Sequence, residues 1–236
     1  MAGLLFVVAW GLIDLQEMRR IVRTSRGDAL VLAVTFLSTL ALQLEFAIFV
    51  GVLASLLIYL QRTTHPHLTP IVPDRTSPQR RSVAVADVQA AGPVECPQLA
   101  LLRVDGSLFF GAVEHVRDEL HDARVEAPER HDILLIGRGI NFIDVAGAEL
   151  LAHEAKLTQE AGGTLYLCNL KPPVRDLLER GGFLDSIGRD CVFEAKDDAI
   201  RAIYARLDSA RCRTCEARIF TECASMLPDG SHRAAG

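Results

Sequence analysis

The chain has 236 residues, a formal net charge of -5 and a mean hydropathy of +0.22. That length fits one domain with an addition, or two small domains, and a net acidic balance excludes general nucleic-acid binding. Hydrophobic residues make up 50% of the chain, but the long apolar runs are concentrated before about position 62, and the remainder reads as an ordinary soluble domain.

Residues 1–10 lack a charged start and a clear cleavage site, so they do not read as a secretory signal, and residues 3–13 are apolar. They are also too short to cross a bilayer, which takes about 20 apolar residues, and are expected to be the end of a longer helix. Residues 14–28 carry Arg19, Arg20, Arg23 and Arg26, with Leu12, Leu15, Met18 and Val22 at helical spacing. This predicts an amphipathic interfacial helix. Residues 29–60 are interrupted only by Thr35, Ser38, Thr39, Gln43, Glu45, Ser55 and Tyr59. They form either one long tilted span or a hairpin turning near Gln43-Leu44-Glu45. A hairpin keeps the arginines before it and those after it (Arg62, Arg75, Arg80, Arg81) on one side, and holds Glu45 away from the bilayer centre. The hairpin is the expectation, with helices of about 15 residues that need a larger bundle around them.

Residues 63–97 contain His65, Pro66, His67, Pro70, Pro73, Pro78, Pro93 and Pro97 and read as a linker, since proline withholds a backbone donor and breaks helices. His65 and His67 read as polar linker residues rather than metal ligands.

Residues 98–210 alternate between strand and helix signals. Residues 99–104 predict a strand, Asp105-Gly106 a turn, and 107–111 a second short strand. A helix over 112–125 points Val113, Val116 and Leu120 inward. The unbroken run 133–136 predicts a buried strand, 145–160 a helix closed by Gly162-Gly163, and 164–168 a strand. Pro172-Pro173 opens a helix that ends at Gly181-Gly182, residues 191–193 form an edge strand, and 197–207 the last helix. The outcome is an α/β domain with a mixed sheet and helices largely on one side.

Two constellations stand out. The strand 133–136 leads through Gly137-Arg138-Gly139 and Asn141-Phe142-Ile143 to Asp144, which sits at an N-cap position ahead of Ala146 and Gly147. The G-x-G is not a dinucleotide fingerprint, because Phe142 stands where the third glycine belongs, so those glycines are read as a flexible turn. Gly139, Phe142, Asp144 and Gly147 are expected to form a loop facing a partner or an anion at a helix N-terminus; the alternative is that Asp144 only caps and Gly147 only packs. The second constellation is Cys212-x-x-Cys215 with Cys223 in the segment 211–236. Thiolates at that spacing fit one side of a zinc or iron–sulfur site. A fourth ligand would have to come from Glu216, Glu222, His232, another cysteine or a second chain. The alternative is a cysteine-bearing tail that packs or stays reduced, in keeping with a cytosolic compartment for the six cysteines. No nucleophile elbow, acid–base pair or P-loop is present, so no enzymatic activity and no cofactor are expected.

Asp144-Val145-Ala146-Gly147 followed by a Leu-rich helix resembles the centre of the STAS domain, shared by sulfate transporters and anti-sigma-factor antagonists. Gly-Leu-Ile-Asp at 11–14, Arg-Thr-Ser-Arg-Gly-Asp at 23–28 and Arg62-Thr63-Thr64-His65-Pro66 resemble the last membrane helices of SulP-type sulfate permeases. The resemblance implies residues 1–62 as the end of a transporter's membrane domain, 63–97 as linker, 98–210 as a STAS domain and 211–236 as a cysteine-containing tail. It implies the C-terminal part of a secondary anion transporter in the inner membrane, multi-pass, with the STAS domain in the cytoplasm. Expected partners are the lipid bilayer, upstream helices or other protomers, with a homodimer in the full-length form and no nucleic acid. Substrate-binding residues of that family lie in segments absent from this sequence, so the chain by itself is expected to be a truncated transporter. In the antagonist branch the residue before the motif's glycine is a phosphorylated serine. Ala146 stands there, so a membrane-tethered antagonist-type module, the alternative reading, would lack the phospho-switch.

Overall fold

A computed structural model of the chain describes residues 14–74, 81–88, 95–224 and 226–232. The apolar run 3–13, Arg75, Arg80, Pro78 and Pro93 lie outside the described residues. The described part divides into two compact units, one ending at Arg62 and one beginning at Thr63.

The first unit is helical: α1 (Leu15–Thr24), α2 (Arg26–Ala41) and α3 (Leu44–Thr63). The interfacial segment ends earlier than expected. Ser25 adopts extended backbone and its Oγ accepts from Asp28 N at 3.3 Å, so a serine cap stops α1 and starts α2. The chain leaves the helix again at Leu42 and Gln43, and Glu45 falls in the first turn of α3, where the helix dipole favours a negative charge. α2 and α3 lie side by side: Ala47 and Gly51 are buried, and a Cβ on Gly51 would stand 2.7 Å from Thr35 Oγ1. Small residues at such a contact let two helix backbones approach. The Thr35 hydroxyl is satisfied within its own helix by Val31 O at 2.8 Å. Large apolar side chains elsewhere on both helices face outward, Phe36, Leu40, Phe46, Phe49 and Leu57 among them. Among the described residues one helix, over Leu44–Gln61, is long and apolar enough to cross a membrane. α2, with 16 residues, reaches about 24 Å.

The second unit is built on one six-stranded sheet of order β2-β1-β3-β4-β5-β6, comprising β1 (His67–Pro73), β2 (Ser82–Ala84), β3 (Leu99–Leu108), β4 (Asp132–Ile143), β5 (Leu165–Cys168) and β6 (Val192–Phe193). β1 runs antiparallel to β2 and β3, while β3 to β6 are parallel. The helices are α4 (Val113–Glu126), α5 (Val145–Glu160), α6 (Pro172–Arg180), α7 (Phe183–Ile187), α8 (Lys196–Tyr204) and α9 (Ser209–Thr214). Alternation along the buried strands divides the core in two. Leu102, Ile133, Leu135, Leu165 and Leu167 face α4 to α7. Leu101, Leu134, Ile136, Tyr166 and Cys168 face α8 and the C-terminal segment. The sheet is therefore mixed, with four helices on one face. Between α4 and α5, Arg124 Nη1 donates to the fully buried Glu154 Oε2 at 2.6 Å.

Three expectations need correction. Residues 67–73 and 82–84, read as linker, are strands of the sheet, and Ile71 and Val72 are core residues. Pro70 and Pro73 are tolerated because β1 is hydrogen-bonded to β3 through its first half and to β2 through its last. Asp105-Gly106 does not turn the chain: β3 continues to Leu108, with register shifts at Arg103/Asp105 and Gly106/Leu108 and Gly106 at φ 142. Such irregularities exploit glycine's conformational freedom. Gly137-Arg138-Gly139 is strand rather than flexible turn, because β4 runs on to Ile143. The cysteine-containing tail packs: Cys212, Ile219, Phe220 and Leu227 are buried in the core over the sheet.

Candidate functional site

β3 and β4 deliver their C-terminal ends together, with Leu108 opposite Ile143. Asp144 comes directly after β4. Its amide donates to Leu108 O at 3.1 Å, its Oδ1 accepts from Gly147 N at 2.9 Å, and its Oδ2 accepts from Phe110 N at 3.0 Å. One carboxylate thus caps α5 and fixes the loop after β3. Gly147 is buried against the Leu108 carbonyl, where a Cβ would overlap the oxygen, and Gly139 is pressed in the same way against Val104 O and Asp105. Both glycines therefore have a packing reason to be glycine. Around this capped terminus the apolar side chains of Phe110, Val145 and Phe142 are 76%, 58% and 56% exposed. Ala146 lies between Val145 and Gly147, half-buried and without a hydroxyl. Of the four residues expected in this loop, Asp144 and Gly147 form the capped turn, Phe142 projects from the end of β4, and Gly139 lies inside β4. Phe110 was not foreseen; it becomes part of the site through the hydrogen bond its backbone amide donates to the Asp144 carboxylate, far along the chain.

The second constellation lies on the other face of the sheet. Asp208 caps α9 by accepting from Ala210 N at 2.8 Å, and Cys215 comes just after the helix, its amide donating to Cys212 O at 3.4 Å. Cys223 sits in a turn, donating from its amide to Phe220 O at 3.2 Å. Cys212, Cys215 and Cys223 line one cavity of about 10 Å³, and Cys96, just ahead of β3, lines it as well. Gln98 ties the two segments: its Oε1 accepts from Asp208 N at 2.8 Å, and its Nε2 donates to Asp208 O at 3.2 Å and to Cys212 Sγ at 3.3 Å. Burial pushes the Cys96 and Cys212 thiols up to about 11 and Cys168, in the sheet's core, to about 12. Among the described residues no three His, Cys, Asp or Glu side chains stand ready-arranged around a metal ion. Cys96 escaped the reading of the cysteine motif because it joins through the fold, not through spacing.

Residues 90–208 match the STAS domain family. The chain is 25% identical over 209 residues to the "Probable sulfate transporter Rv1739c" of Mycobacterium tuberculosis, covering 87% of this chain and 36% of that relative. It is 34% identical over 94 residues to BtrV of Bordetella bronchiseptica, named as an anti-sigma factor antagonist, covering 37% of this chain and 80% of that relative. In fold it resembles the murine Slc26a9 anion transporter in the inward-facing state, with a TM-score of 0.72 and 22% identity over 83% of this chain and 32% of that one. The chain spans about a third of the length of the transporters it matches, whereas the antagonist aligns with 37% of this chain alone. The chain belongs to the STAS-domain family, in the layout of the SulP-type transporters: apolar helices followed in sequence by the STAS domain.

Proposed function

We propose that this chain works as part of a secondary transporter for sulfate or a related inorganic anion, with α2 and α3 in the membrane domain and the STAS domain on the cytoplasmic side of the inner membrane. The observation that carries this reading is the similarity to named sulfate transporters across both units, 87% of the chain, including the apolar helices that an antagonist does not need. In this reading no described residue handles substrate. The helical unit packs with further membrane segments through its outward apolar surface, and the STAS domain regulates or dimerises the transporter. Its working surface is the loop around the α5 N-terminus. The Asp144 carboxylate already takes two backbone amides there and adds a negative charge, which disfavours an anion, while exposed Phe110, Phe142 and Val145 favour a protein partner. The antagonist-type alternative is weakened by Ala146, which offers no phosphorylatable oxygen. The deciding experiment is uptake of labelled sulfate into membrane vesicles, comparing this chain alone with the same chain joined to the upstream membrane region of a relative. Uptake by the joined form alone supports the proposal; uptake by neither removes the sulfate assignment.

A further inference from the structure

We propose that Cys96, Cys212, Cys215 and Cys223 form a tetrathiolate site for one zinc ion that clamps the C-terminal segment onto the start of β3. The four come from two stretches far apart in sequence, yet all line one cavity of about 10 Å³, roughly the space of a single water-sized sphere. Glu216, Glu222 and His232, the other fourth ligands considered from sequence, do not line it. Cys212 and Cys215 straddle the end of α9. Gln98 Nε2 donates an N–H···S bond to Cys212 at 3.3 Å. Amides turned toward sulfur orient a ligating thiolate and spread its charge. Arg218 lines the same cavity and reaches Cys215 O through its Nε at 3.4 Å. It places a cation beside a centre that four thiolates and one divalent ion would leave doubly negative.

Binding is an exchange without redox change: four S–H bonds lose their protons to solvent and four Zn–S bonds form. Because the thiols are not ready-arranged in the structure, the side chains must rotate into the cavity they line to reach the Zn–S distance of about 2.3 Å. The test uses the full chain, purified in detergent with reductant and without chelator. Elemental analysis should find about one zinc per chain. Replacing it with cobalt(II) should give the visible d–d bands and sulfur-to-cobalt charge transfer of a four-thiolate tetrahedral site. Cys96→Ser, Cys212→Ser, Cys215→Ser and Cys223→Ser should each lower zinc retention at least about tenfold, while Cys168→Ser and Cys191→Ser keep it. If the four variants fail to fold, the cobalt spectrum of the unaltered chain decides alone. The proposal falls if the reloaded chain holds less than about a tenth of an equivalent of zinc. It falls equally if Cys96→Ser leaves the four-thiolate spectrum unchanged, or if iron with acid-labile sulfide is found in place of zinc.

Discussion

At the scale of the residue, Asp144 shows how one side chain does structural work at the proposed working surface. Its two oxygens hold Gly147 N and Phe110 N at 2.9 and 3.0 Å. Removing the cap alone costs about 1 kcal/mol, and losing the second charged hydrogen bond adds about 1.5 kcal/mol or more. Asp144→Ala is therefore expected to destabilise the domain by about 2–3 kcal/mol. Asp144→Asn should cost less, because its remaining oxygen can still cap Gly147 while its amide nitrogen cannot accept from Phe110. Urea unfolding monitored by far-ultraviolet circular dichroism measures both. No loss for Asp144→Asn would mean that the tie to Phe110 contributes nothing, and equal losses for the two variants that the cap on Gly147 contributes nothing. The capping role of Asp144 was legible in sequence, because an N-cap is a local signal: an acidic residue ahead of a helical period. The exposed Phe110 beside it was not, because no local rule links residues that meet only through the parallel pairing of β3 and β4.

At the scale of the element, the helical unit makes a sharp geometrical claim. Sequence left two readings of residues 29–60, one long span or a hairpin, and charge placement favoured the second. The structure ends α2 at Ala41 and starts α3 at Leu44, and it brings Thr35 against Gly51: a Cβ on Gly51 would lie 3.5 Å from Thr35 Cβ. That separation is within the range a disulfide uses, about 3.5–4.5 Å. On one continuous helix the same two positions would be about 24 Å apart. The double substitution Thr35→Cys with Gly51→Cys is therefore expected to oxidise readily in membranes, giving a linked peptide by mass spectrometry after digestion. Native cysteines are absent before Cys96, so the link cannot be confused with another. A chain that stays fully reduced at both positions under oxidant would support the single tilted span. Elsewhere the element readings failed for one physical reason. Prolines and glycines were taken as breaks, yet Pro70, Pro73, Gly106, Gly137 and Gly139 sit inside strands. An edge-type pairing or a close approach by backbone or side chain, Leu170 against Gly137 among them, accommodates each of them, and neither is visible before the sheet is assembled.

At the scale of the whole molecule, the folded unit is larger than the family match. The match covers residues 90–208, but the compact unit begins at Thr63 and continues to the C-terminus. On one flank, β1 pairs with β3 over His67 to Pro70 and supplies Ile71 and Val72 to the core. On the other, Cys212, Ile219, Phe220 and Leu227 cover the sheet beside α8, and Tyr204 OH donates to Met226 O at 2.7 Å. Each large buried side chain contributes about 1.5–3 kcal/mol, so the loss of either flank subtracts an amount comparable with the about 5–15 kcal/mol that holds a domain together. Without β1, β3 also becomes an exposed edge, an invitation to pair between chains. A chain of residues 63–236 is accordingly expected to be soluble and to melt in one cooperative transition. Residues 90–236 and 63–208 should each melt at least about 10 °C lower or aggregate, since about 1 kcal/mol moves the melting temperature of a domain this size by about 2–4 °C. Scanning calorimetry on the three chains reads the answer directly. If residues 90–236 and 63–208 both melt as high as residues 63–236, the added strands and C-terminal segment are ornament on a self-sufficient core. If instead both flanks are required, a contact that loosens either one, whether a partner at the outer strands or loss of an ion at the cysteines, would weaken the whole domain.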